Sequence, residues 1–155
     1  MTSACRFLVV ALGLLGLVGC RAAGDETKSS KALITSENVN QIVGTQWILK
    51  EMTLDGNEHR LTGKRPYVQF GDDGEVSGFA SVNRFSGRMQ LDGQGRIRWF
   101  PLRSTRMAGP RELMDQESAF LLALPRTRCL SLDGTCLHAQ SEDGQVEFVL
   151  RTPAE

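Results

Sequence analysis

The chain has 155 residues, 18 Lys and Arg against 18 Asp and Glu, and 41% hydrophobic residues. That is length for one domain, with no net charge to capture nucleic acid by bulk electrostatics. The ordinary composition excludes collagen-like, coiled-coil and wholly disordered chains, and two His leave little room for His-based catalysis.

Residues 7–19 (FLVVALGLLGLVG) form an uncharged apolar run preceded by Arg6. A membrane-spanning helix needs about 20 apolar residues, so the run reads as a secretory signal with a small-residue exit. The exit, Leu17-Val18-Gly19-Cys20, resembles the bacterial lipobox, in which the Cys is acylated and becomes the new N-terminus. Several acyl chains anchor a protein durably where one does not. Arg21 is not the Asp associated with inner-membrane retention, so an outer-membrane, periplasm-facing location is expected. Loss of residues 1–19 removes one base, Arg6, and leaves 17 basic against 18 acidic residues. Residues 20–34 are mostly small and polar and read as a lipidated Cys with a flexible tether. The domain is assigned to residues 35–155.

Five Asp-Gly pairs punctuate that domain, at Asp55, Asp73, Asp92, Asp133 and Asp143. Asp-Gly is a strong hairpin signal, because Gly accepts positive φ and Asp caps its own turn. Between them, residues 45–53, 66–70, 75–80, 87–91, 96–100, 127–132, 135–140 and 146–151 read as strands. Short strands on tight turns are antiparallel neighbours. The expected fold is mainly β, a curved antiparallel sheet of about eight strands closing into a small barrel with one packed α-helix.

The helix is residues 111–124, opened by Pro110 and stopped by Pro125, with an apolar face of Leu113, Phe120, Leu121 and Leu124. Glu117 stands in the middle of that stripe. A carboxylate there must find partners, since an unpaired buried charge costs several kcal/mol. Asn83, Thr105 and Arg106 are the chemically suitable ones. Glu117 is read as a structural anchor between helix and sheet, with an acid–base role as the rival.

The segment Gly78-Phe79-Ala80-Ser81-Val82-Asn83-Arg84-Phe85-Ser86-Gly87 resembles the signature of the META/HslJ family, G-x-x-x-C-N-x-[FY]-x-G. Ser104-Thr105-Arg106-Met107-Ala108 resembles its second motif, T-[RK]-M-A-C. Glu117 precedes a Phe-Leu-x-x-Leu run as it does in that family, and Trp47 and Leu49 match the opening W-x-L strand. The resemblance implies a small barrel-like domain with one helix, in lipid-anchored envelope proteins linked to heat shock and antibiotic stress, with no established catalytic activity. The chain departs from the pattern at two places together: Val82 and Gly109 stand where the family has Cys. That is expected if the two cysteines normally pair with each other.

Cys129 and Cys136 flank the hairpin around Asp133-Gly134, and a four-residue loop would set them face to face. A disulfide is expected there in an oxidising compartment, while a one-residue register shift would take the pair apart. The C-x6-C spacing without further ligands is no zinc site, and no cofactor is expected. Gly78 and Gly87 bracket a bend that needs positive φ or close approach. Asn83, Thr105, Arg106 and Glu117 are expected to form one hydrogen-bonded cluster that fixes the packing.

Between positions 84 and 111 there are seven Arg and one acid, Asp92. Arg84, Arg88, Arg96, Arg98 and Arg103 are candidates for an anion site for lipid phosphates, a glycan or an acidic envelope protein. The sequence therefore reads as a lipid-anchored, non-enzymatic envelope protein held to the membrane by its N-terminal lipid. Its rivals are a barrel holding a small apolar ligand and a hydrolase using Glu117 with Arg106.

Overall fold

The computed structural model describes residues 31–153; the expected leader, the expected acylation at Cys20 and the expected tether up to residue 30 lie outside the described residues. The chain forms strands β1 (Ala32–Leu33), β2 (Gln46–Leu54), β3 (Asn57–Glu58), β4 (Tyr67–Phe70), β5 (Glu75–Phe79), β6 (Arg84–Leu91), β7 (Ile97–Trp99) and β8 (Arg103–Ser104). Helix α1 (Arg111–Ala123) follows, then β9 (Thr127–Asp133), β10 (Cys136–Ser141) and β11 (Val146–Arg151). One antiparallel sheet runs β1-β9-β10-β11-β2-β4-β5-β6-β7, with β3 added to β2 and β8 to β6.

The sheet curls because its two ends are tied together. Leaving β1, Ile34 N–H donates to Leu130 C=O on β9 at 2.9 Å, and Ser36 N–H donates to Asp92 C=O after β6 at 3.1 Å. The Trp99 indole N–H on β7 donates to the Thr127 carbonyl and hydroxyl on β9, each at 3.1 Å. Both ties shelter edges that would otherwise offer unpaired backbone groups.

Alternation decides what faces inward. On β4 Val68 and Phe70 are buried, on β5 Val76 and Gly78, on β11 Val146, Phe148 and Leu150. Strand β2 breaks the period: Leu49 and Met52 are buried three apart, while Lys50 and Glu51 are both exposed. A register shift against β11 at Val149/Leu150 accommodates the extra residue; it is a bulge that bends the strand and returns its apolar side to the core. Phe120 of α1 fills the interior between Phe85 (ring centroids 5.8 Å apart) and Phe148 (5.5 Å). The core residues run from Ile34 to Leu150.

All eight expected strands are present, and three corrections follow. The domain begins at Ala32, inside the segment assigned to the tether: β1 pairs with β9 and Ile34 is wholly buried. Two apolar residues, Leu33 and Ile34, suffice to dock an otherwise polar segment. At the Asp92-Gly93 turn the left-handed residue is Gly95, not Gly93, because the Asp92 carboxylate accepts the N–H groups of Gln94 and Arg96 and sets the turn two residues on.

The third correction is the disulfide: Cys129 and Cys136 are both free. The β9–β10 turn closes on two residues, Gly134-Thr135, so Cys136 pairs with Asp133 and Cys129 with Gln140. Four residues along β9 separate Cys129 from Asp133, about 13 Å at strand rise, against the roughly 7 Å limit for bridged Cα atoms.

Candidate functional site

The conspicuous polar feature lies where α1 meets the β5–β6 hairpin. The turn runs Ala80-Ser81-Val82-Asn83, closed by Ala80 N–H donating to Asn83 C=O at 2.8 Å. It leaves the N–H groups of Val82 and Asn83 pointing at the helix. Glu117 Oε2 accepts both, at 3.1 Å and 2.6 Å, and Oε1 accepts the Asn83 side-chain amide at 2.8 Å. Asn83 Nδ2 also donates to the Met107 carbonyl at 3.1 Å, while its Oδ1 accepts from the Thr105 hydroxyl at 2.8 Å and the Met107 N–H at 2.7 Å. Asn83 is 1% exposed and Glu117 6%. One side-chain pair thus ties together three segments: the hairpin, the strand leading to the helix, and the helix itself.

Three of the four expected members meet, and Arg106 does not. It is exposed, and the Met107 backbone takes the place assigned to it. In extended chain neighbouring side chains leave on opposite sides, so Thr105 and Arg106 cannot both face Asn83.

Two members escaped the sequence reading. Ser81 has φ +118°, a conformation that L residues rarely adopt. Gln116 holds it: its amide Nε2 donates to Ser81 Oγ at 2.7 Å and its Oε1 accepts the Thr62 N–H at 2.8 Å. The signal was available, since Gln116 lies three residues after Leu113 and four before Phe120, on the same inward stripe as Glu117.

The motif glycines act through close approach, not through positive φ; both lie within strands, Val76 opposite Gly87 and Gly78 opposite Phe85. A Cβ on Gly78 would strike the Tyr67 carbonyl oxygen and come within 2.7 Å of the Phe85 ring. A Cβ on Gly87 would come within 2.5 Å of Leu102 Cδ2. The first glycine makes room for the ring that packs on Phe120; the second makes room for Leu102, which is half-buried against the core where Pro101 lies between β7 and β8, the two strands that pair with β6.

The five candidate arginines divide into two groups. Arg84 and Arg88 share the outer face of β6, and Arg103 of β8 pairs beside Ser86 on that same face. Arg96 and Arg98 lie farther along, flanking a groove of about 640 Å³ that also contains Asp72, Asp73 and Asp92. Arg98 is stacked over the Phe100 ring at 5.6 Å. The second group is therefore offset by nearby acids, and the first is the more basic.

A curled antiparallel sheet with a single helix locked to its β5–β6 hairpin by an Asn–Glu pair defines a small class of α+β half-barrel domains. The META domain family matches residues 40–153, and this chain belongs to it. No curated protein matches the sequence. Among solved structures, a protein from Burkholderia xenovorans determined by NMR is similar, with a TM-score of 0.62 and 19% identity over 81% of this chain and 92% of that one. A DUF4847 family protein from Bacteroides vulgatus shares the fold at a TM-score of 0.54 and 12% identity, over 76% of this chain and 98% of that one. These likenesses establish the fold alone.

Proposed function

We propose that this META-domain chain is a non-enzymatic envelope protein, acylated on Cys20, anchored to the outer membrane on its periplasmic side, and acting by binding or by supporting the envelope under stress. The anchor rests on the apolar run at 7–19 and the Leu17-Val18-Gly19-Cys20 exit. The non-enzymatic role rests on one observation: both oxygens of Glu117, the carboxylate that a hydrolase would need, are occupied by donors of Val82 and Asn83 beneath the helix. Three of its roughly four lone-pair sites are taken by fixed donors and the residue is 6% exposed, an arrangement that suits an anchor better than a group exchanging protons with a substrate. The ligand-barrel alternative is disfavoured because Phe120, Phe148, Met52 and Leu137 fill the interior.

The test is expression of the full chain in a bacterium with an outer membrane, followed by mass spectrometry of the N-terminal peptide and membrane fractionation. An acylated Cys20 in the outer-membrane fraction, released by Cys20→Ser, is the expected result. An unmodified N-terminus in the soluble periplasmic fraction overturns the anchor. A hydrolytic activity abolished by Glu117→Gln at unchanged stability overturns the non-enzymatic reading.

A further inference from the structure

We infer that the outer face of β5, β6 and β8 is a docking surface for the phosphate headgroups of an anionic membrane. Ser77 of β5 pairs with Ser86 of β6, and Ser86 pairs with Arg103 of β8, so two hydroxyls and a guanidinium form one row across three strands. Same-face neighbours along a strand lie about 7 Å apart, which sets Arg84 and Arg88 on either side of Ser86. The result is a shallow groove of about 500 Å³ lined by Ser77, Ser86, Arg88, Arg103 and the exposed ring of Phe100, with the Glu75 carboxylate at one end. Hydroxyl donors between guanidinium forks suit a phosphate oxyanion, and an aromatic ring beside them suits the boundary between headgroup and acyl chain.

The arginines of this face outnumber its carboxylates. Among the described residues no carboxylate forms an ion pair with Arg84, Arg88 or Arg103, in contrast to Arg111 with Asp115 and Arg126 with Asp55. Glu75 pairs across from Arg88 and offsets one charge, and Arg88 spends one N–H on the Asp73 carbonyl at 2.9 Å. Three arginines against one glutamate remain.

The course of the chain selects a membrane over other phosphate carriers, and here the inference rests on the anchored reading above. Cys20 precedes Ala32 by 12 residues, a span of at most about 43 Å. The chain then enters the domain beside the β6–β7 turn: a Cβ on Gly95 would lie 2.9 Å from Leu33 Cδ2, and Ser36 bonds to Asp92. The point of attachment is thus at the Leu91 end of β6, three residues beyond Arg88 and at the opposite end from Arg84. A bilayer holding the acyl chains lies within reach of that face.

The test uses the chain from Arg21 to Glu155, which retains every core residue between Ile34 and Leu150. It is mixed at low salt with vesicles of phosphatidylcholine, or of phosphatidylcholine and phosphatidylglycerol in equal parts, and bound protein is measured by co-flotation. Binding about a hundredfold stronger to the anionic vesicles is expected, lost as salt rises to about 0.5 M. The triple variant Arg84→Gln/Arg88→Gln/Arg103→Gln weakens it about a hundredfold, at roughly fivefold per arginine, with an unchanged melting temperature because the three side chains are exposed. Arg60→Gln/Arg65→Gln, which removes two charges outside the β5–β6–β8 row, weakens it several-fold less than the triple variant does. Equal binding to both vesicles, a triple variant that binds like the wild type, or saturable binding of inorganic phosphate without vesicle preference overturns the inference. Acylation of Cys20 in the full chain is read separately by mass spectrometry, so failure of the anchor and failure of this surface are distinct results.

Discussion

Val82 packs directly against Gly109: a Cβ on Gly109 would lie 3.5 Å from Val82 Cβ and 2.8 Å from its Cγ2. These are the two positions at which the family signature carries Cys. The 3.5 Å separation falls at the edge of the roughly 3.5–4.5 Å found between bridged Cβ atoms. In this chain the valine methyl groups fill the space above a residue with no side chain.

The double variant Val82→Cys/Gly109→Cys should therefore form a disulfide without backbone rearrangement and stabilise the domain by about 3–4 kcal/mol through closure of the loop between them. Thermal melting with and without reductant checks it: the gain appears only without reductant. Gly109→Ala alone should destabilise by about 1–3 kcal/mol, because it crowds Val82, and Val82→Ala should recover part of that loss in a double-mutant cycle.

Glu117→Gln presents an amide where Oε1 or Oε2 now accepts, and so must turn an NH2 toward a donor on Asn83 or Val82. Urea unfolding should show a loss of about 2–4 kcal/mol, and Glu117→Leu at least as much, since it leaves those donors buried and unpaired. A Glu117→Gln domain as stable as the wild type would contradict the anchoring role.

Gly78→Ala places a Cβ against both the Tyr67 carbonyl oxygen and the Phe85 ring, and both must give way. A destabilisation of more than about 2 kcal/mol is expected, partly relieved by Phe85→Leu, which vacates the space the ring occupies. The sign of that coupling, read from chemical unfolding of the four proteins, is the check.

Cys129 and Cys136 should both react with a thiol reagent in the unfolded chain without prior reduction, because their register keeps them apart. Substituting both by Ser should change stability by less than about 0.5 kcal/mol, as for other side chains on the outer face of a sheet.

The Asp143 carboxyl titrates below its ordinary 3.8, held down first by the Ser141 hydroxyl and then by the Gln145 N–H, both of which donate to it. A depressed folded value stabilises the protein above the unfolded pKa, and that contribution disappears as pH falls through the folded one. NMR titration should find the low value, and Ser141→Ala should move it upward.

The strands were legible because each signal is local: alternation over a few residues, bounded by Asp-Gly. The helix was legible from its flanking prolines, and Glu117 from its misfit among Leu113, Phe120 and Leu121. What escaped was whatever depends on register. Two residues in the β9–β10 turn, where a longer loop was expected, separate Cys129 from Cys136. One extended residue, Thr105 rather than Arg106, reaches Asn83. Gly78 and Gly87 were singled out from the pattern, yet their reason, a ring and a leucine from elsewhere in the chain, exists only once the strands are paired.

The sequence by itself determined that this is a single β-rich domain with one helix, that a carboxylate on that helix had to find partners inside, and that the chain belongs with META proteins. Those properties follow from periodicity, turn chemistry and residue identity, all of which act over a few positions. Tertiary structure alone decided that Asn83 and Glu117 are each other's partners, that Ile34 closes the sheet, and that Arg84, Arg88 and Arg103 share one face while Arg96 and Arg98 lie among acids. Such facts are set by which strand lies beside which and in what register, and a shift of one residue would turn every one of those side chains to the other side.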